Sequence, residues 1–173
     1  MKKFCLMVIA AMITLPSLAQ HKGKTSNNSV SEDSKVEYNI LVQRLDSLEK
    51  ELSLLNLKYK LSNLDKDLEI FKNTIDLSVH EIRLNIINRN IWKELPSLYK
   101  TNYELYIEKL SSYKEYYSIL EINLNQQLSA ETYSGTDMIA LLAYKDVIGK
   151  EFSAIKPSLD IYKLCIEHYQ KLL

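Results

Sequence analysis

Glycine and proline, the residues that punctuate loops, are scarce: a chain of 173 residues has three of each. With glycine only at positions 23, 135 and 149, there is no Gly-rich phosphate loop, dinucleotide fingerprint or nucleophile elbow, because each needs several glycines where the backbone turns or meets its ligand closely. Cysteine is as sparse. Cys5 lies in an apolar leader and Cys165 stands alone, so no intrachain disulfide is expected once the leader is lost. His21, His80 and His168 are far apart. His80-Glu81 lacks the second histidine of a zinc-protease helix, and Cys165 with His168 is a single i, i+3 pair, so no metal site is expected. The acids are scattered, and pairs such as Asp46 and Lys50 have the spacing of surface ion pairs. These absences exclude most chemistries: no catalytic residue, cofactor or metal ligand is nominated, and the chain reads as non-enzymatic. An excess of positive charge is missing too, with 22 basic against 22 acidic residues, which argues against a nucleic-acid partner.

What is present begins with an export signal. Residues 1–19 have a basic start (Lys2, Lys3), an apolar run from Phe4 to Leu15, and small residues at Ser17 and Ala19 that suit cleavage before Gln20. The run is too short to span a bilayer comfortably. Cleavage after Ala19 would remove two lysines and no acid, leaving a weakly acidic product that is periplasmic or secreted and carries no transmembrane segment. Residues 20–35 are polar and rich in Ser, Asn and Lys, with Val30 the sole aliphatic residue, and are expected to form a disordered tether. The Asn27-Asn28-Ser29 sequon is read as chance.

The rest is patterned for helices. From Ser34 to about Trp92 no Gly or Pro interrupts the chain, and Ser34 with Glu37, or Ser29 with Glu32, has capping-box spacing. Leu45, Leu48, Leu52, Leu55 and Tyr59 recur at three and four residues, as a coiled-coil seam does. The phase then changes. A second set runs through Leu54, Leu57, Leu61, Leu64, Leu68, Phe71 and Ile75, and after an extra four-residue step through Val79, Ile82 and Ile86. At ~1.5 Å per residue this helix would be on the order of 85 Å long.

Asn88, Arg89, Asn90 and Leu95-Pro96 mark a turn, with Pro96 placed in the first turn of a second helix, where its missing donor costs nothing. That helix has a seam of Tyr99, Tyr103, Tyr106, Leu110, Tyr113, Tyr117, Leu120 and Leu124. Gly135 breaks the next connection, and Thr136 or Asp137 is expected to cap a third helix. Its seam runs Met138, Leu141, Lys145, Ile148, Phe152, Ile155, Leu159, Tyr162, Ile166, Tyr169 and Leu173. The phase survives Pro157, which predicts a kink within one helix rather than a boundary.

The expected fold is therefore all-α, a long N-terminal helix continuing into an antiparallel three-helix bundle or coiled coil over residues 36–173. Because the second and third helices are each about half the length of the first, residues 36–60 are expected to protrude as an arm, with the bundle over residues 61–173. Leu45, Leu48, Leu52 and Leu55 on that arm are the candidate interaction residues, flanked by Arg44, Glu49, Glu51 and Lys58 where charges set coiled-coil partner choice. The expected function is a cell-envelope protein acting through coiled-coil self-association, as a homo-oligomer, or by docking another envelope protein. The alternative is a periplasmic binding module or chaperone-like holdase that uses Tyr99, Tyr103, Tyr106, Tyr113 and Tyr117 as an aromatic face. Core packing of those rings is the simpler account of them. Cys165, beside the third seam, is expected to be a buried thiol, with an intermolecular disulfide as the alternative.

Overall fold

The computed structural model describes residues 29–129 and 135–173, with side chains described from residue 34 onward. The expected leader, most of the tether and the connection at 130–134 lie outside the described residues. Three helices make up what is described: α1 (Ser29–Ile87, 59 residues), α2 (Leu95–Ser129, 35 residues) and α3 (Gly135–Lys171, 37 residues). No strand occurs among the described residues. The chain divides into two units, residues up to Leu45 and residues from Asp46 onward.

In the first unit the described residues are helical, and Val36, Tyr38, Ile40, Leu41, Val42 and Leu45 are all exposed. The helix begins at Ser29, so Ser34 lies within it and Ser29 to Lys35 of the expected tether are helical.

The second unit is a three-helix bundle. Its chain directions follow from the cross-helix contacts. Ser78 meets Tyr106 and Asn85 meets Tyr99, so α2 runs back along α1. Asp76 meets Ser158 and Lys58 meets Asp137, so α3 runs parallel to α1. The core is built from the second apolar set of α1, every member of which from Leu54 to Ile82 is buried, with Ile86 packed against it. The four-residue step from Ile75 to Val79 costs no burial, since both side chains point inward. From α3, Leu141, Ile148, Ile155, Leu159, Tyr162, Ile166 and Tyr169 are buried. Lys145, the polar member of that seam, is only half-buried: its stem lies along the bundle while its ammonium reaches Asn125 Oδ1 at 3.2 Å and Glu121 Oε1 at 3.5 Å on α2.

The helix boundaries differ from the sequence expectation at two places. α1 stops at Ile87, five residues short of Trp92. The Asn90 amide donates to Asn85 C=O at 2.9 Å, the Arg89 amide donates to Ile86 C=O at 3.2 Å, and Arg89 has φ of 54°. This is a Schellman cap, with an arginine in the left-handed position that glycine usually takes. α3 starts at Gly135, so Thr136 and Asp137 lie in its first turn instead of capping it. There Asp137 accepts a hydrogen bond from Lys58 across to α1. Pro96 sits in the first turn of α2 and is buried, and α3 continues unbroken through Pro157.

Candidate interaction surface

Two stripes overlap on α1 where the bundle begins. Leu54, Leu57 and Leu61 face the core and are buried. Leu48, Leu52, Leu55 and Tyr59 lie on the opposite face, because positions advance by about 100° per residue and these fall roughly half a turn from the inner stripe. They are 61%, 67%, 64% and 66% exposed. Leu45, the last residue of the first unit, is 57% exposed. Helix apolar on two faces is ordinarily covered on both, and each leucine fully removed from water would contribute about 1.5 to 3 kcal/mol.

The flanks of this stripe are charged. Glu49, Leu52, Ser53, Leu55, Asn56 and Tyr59 line a shallow groove along the helix. Lys58 is held by Asp137 of α3, whereas Glu49 and Glu51 are exposed and form no ion pair among the described residues. Arg44, in the first unit, is likewise exposed and without an ion-pair partner there.

The tyrosines of α2 are arranged quite differently. Tyr99 is buried and Tyr103, Tyr106, Tyr113 and Tyr117 are half-buried against the core. Tyr106 packs edge-on to Phe71 and Tyr162 with ring centroids 5.9 and 5.6 Å apart, and Tyr113 tilts against Phe71 at 5.6 Å. Tyr103 stacks on Tyr162, and Tyr117 tilts against Phe152. The hydroxyls find partners at the bundle edge: Tyr99 accepts from Asn85 Nδ2 at 2.7 Å, and Tyr106 shares a 2.8 Å hydrogen bond with Ser78. Burial raises the phenols of Tyr99 and Tyr117 above their ordinary range.

Among the described residues no cluster of His, Cys, Asp or Glu could hold a metal ion, and no helix is long and apolar enough to cross a membrane. His80 and His168 are exposed, and half-buried Cys165 lies in a second apolar groove with Ile86, Ile87, Ile161 and Leu164. Sequence periodicity within α3 placed Ile161 beside Cys165, but only the fold brings the end of α1 there. Sequence reasoning also passed over Leu41 and Tyr38, which continue the three and four spacing back from Leu45 and are 63% and 66% exposed. The spacing itself could have shown them. Comparisons with protein-family models, with curated proteins and with solved structures gave no match.

Proposed function

We propose that this is an exported, non-enzymatic protein of the cell envelope that works by helix-to-helix association through the seam containing Leu45, Leu48, Leu52 and Leu55. The observation that carries this reading is the pair of opposed stripes at Leu48 to Tyr59: the inner one is buried by α2 and α3, and the outer one repeats the same spacing and stays exposed, with no cover from the described helices. Export rests on the sequence of residues 1–19, and cleavage after Ala19 would leave a periplasmic or secreted protein. A client- or glycan-binding role for the tyrosines has less support, because the rings that would form the ledge pack against Phe71, Phe152 and Tyr162.

Changing Leu48 and Leu52 together to Glu tests the reading. Sedimentation and co-purification from the producing cell should show association lost while the helical signal and melting midpoint of the bundle stay in place. Unchanged association in that variant would refute the seam as the working surface. Intact mass of the exported protein checks the leader, with cleavage expected between Ala19 and Gln20.

A further inference from the structure

We infer that the occupant of the seam is a second copy of this chain, paired antiparallel about a two-fold axis that crosses α1 between Asp46 and Ser47. The inference rests on the association reading above and specifies its partner, direction and register. The spacing places Tyr38, Leu45, Leu52 and Tyr59 at one set of seam positions and Leu41, Leu48 and Leu55 at the other. Each of these residues is exposed. In the inferred register Tyr38 meets the partner copy's Leu55, Leu41 meets its Leu52, and Leu45 meets its Leu48. Symmetry repeats each layer, so every seam position from Tyr38 to Leu55 is filled.

Charge decides among the alternatives, since flanking charges set partner orientation in paired helices. Antiparallel helices bring together the flanking positions that precede each first seam position, here Glu37, Arg44, Glu51 and Lys58. In the inferred register Arg44 faces the partner copy's Glu51, and Glu37 faces its Lys58, which also holds Asp137 of its own chain. All four symmetry-related pairs are attractive. Sliding the helices by one heptad, to centre the four candidate leucines, would oppose Arg44 to Lys58 and set Glu51 and Glu49 each against its own copy, so these charged flanking pairs are all repulsive. A parallel in-register pair joins Arg44 to the partner copy's Glu49 but leaves Glu51 facing Asn56 and Glu37 facing Val42, with no charge gained. A further heptad in the same direction keeps an attractive Glu51 to Lys58 contact but fills only Leu48 to Tyr59, abandoning Tyr38, Leu41 and Leu45, and a one-heptad slide the other way sets Arg44 against its own copy and Glu37 against Glu51. Arg44 and Glu51, the pair that the inferred register uses, are free of other ion pairs among the described residues.

Charge reversal reads out the register. In protein recovered from the producing cell, sedimentation equilibrium of Arg44→Glu and of Glu51→Arg should each show dimerisation weakened by roughly tenfold, because attractive pairs become repulsive at both symmetry-related places. The double variant R44E/E51R should return to the wild-type dissociation constant. A result in which E51R alone is harmless, and R44E is rescued by E49R instead, would overturn the antiparallel register in favour of a parallel pair while leaving the seam as the association surface. A wild-type protein that stays monomeric at every concentration would overturn the second copy as occupant. If it is monomeric and L48E/L52E also changes nothing in co-purification, the association reading itself fails. Helicity of each variant, measured in parallel, keeps loss of fold distinct from loss of pairing.

Discussion

Tyr169 shows how a single hydroxyl can hold a turn. Its ring is buried edge-on to Tyr99 at 5.8 Å, while its oxygen donates to Asn90 C=O and accepts from the Trp92 amide, both at 2.8 Å. The turn between α1 and α2 therefore has two of its backbone groups satisfied by a residue of α3. Tyr169→Phe keeps the ring and leaves both groups without that partner, so a loss of about 1 to 3 kcal/mol is expected in denaturant unfolding. Tyr162 carries a different prediction. Burial is the main cause holding its phenol well above the ordinary value of 10.0, with Tyr106 adding to it and a hydrogen bond from Asn102 opposing. The folded state thus keeps its proton where the unfolded chain loses it, so stability is full below about pH 10 and declines as pH rises toward the folded value. The slope should reach about 1.4 kcal/mol per pH unit for this group, and unfolding curves from pH 9 to 11.5 should flatten measurably in Tyr162→Phe. At the acid end Asp76 behaves oppositely. Burial raises its pKa, but hydrogen bonds from Ser158 and Lys72 and the lysine's charge outweigh that and hold it low. Its contribution is therefore present above the unfolded carboxyl value and fades as pH falls through the folded one.

At the scale of elements, two helices carry a residue that local propensity disfavours. Pro157 leaves Ser153 C=O without its helical donor, yet α3 runs on because Ile155, Ser158 and Leu159 on either side are buried in the bundle. Its ring is exposed, so no packing is lost on truncation. Pro157→Ala should restore the hydrogen bond and raise stability by about 1 to 3 kcal/mol, seen as a higher melting midpoint. An unchanged or lower midpoint would mean that the hydrogen bond regained at Ser153 C=O contributes nothing net at this exposed position. Arg89 is the second case. As a non-glycine residue at the left-handed cap position it carries a local cost, and Arg89→Gly should stabilise by about 0.5 to 1 kcal/mol even though the arginine is exposed and the substitution removes side-chain atoms.

For the molecule as a whole, α1 belongs to two environments at once. Leu61 is fully buried and Leu52 is 67% exposed, though both are leucines in the same helix. Leu61→Ala should cost about 2 to 5 kcal/mol in any state of assembly. Leu52→Ala should change the dilute protein by no more than about 0.5 kcal/mol, yet weaken association. Chemical unfolding of the two variants at low and high protein concentration separates these effects, since only stability linked to assembly depends on concentration.

The three helices, their approximate lengths, the continuity through Pro157 and most residues of each core seam were legible in the sequence; Leu173, read as the last member of the third seam, lies past the end of α3 and is exposed. They follow from the three and four spacing of apolar side chains, and that spacing is a local property of helical geometry. The switch of seam at Leu54 was visible as a change of phase for the same reason. Which of the two overlapping stripes would be covered was a tertiary outcome. Leu52 and Leu54 have equal hydropathy and helix propensity, and they differ only because α2 and α3 pack on one side of α1. Local pattern was equally silent on partners separated by many residues: the grip of Tyr169 on the turn at Asn90 and Trp92, the contact of Ser158 with Asp76, and the pairing of Asp137 with Lys58. Those hydrogen bonds exist because the bundle sets the axial height of each helix, and polar groups brought to its edge must be satisfied there. Spacing along the chain determined which faces were apolar, and packing between chain segments decided which of them stayed in water.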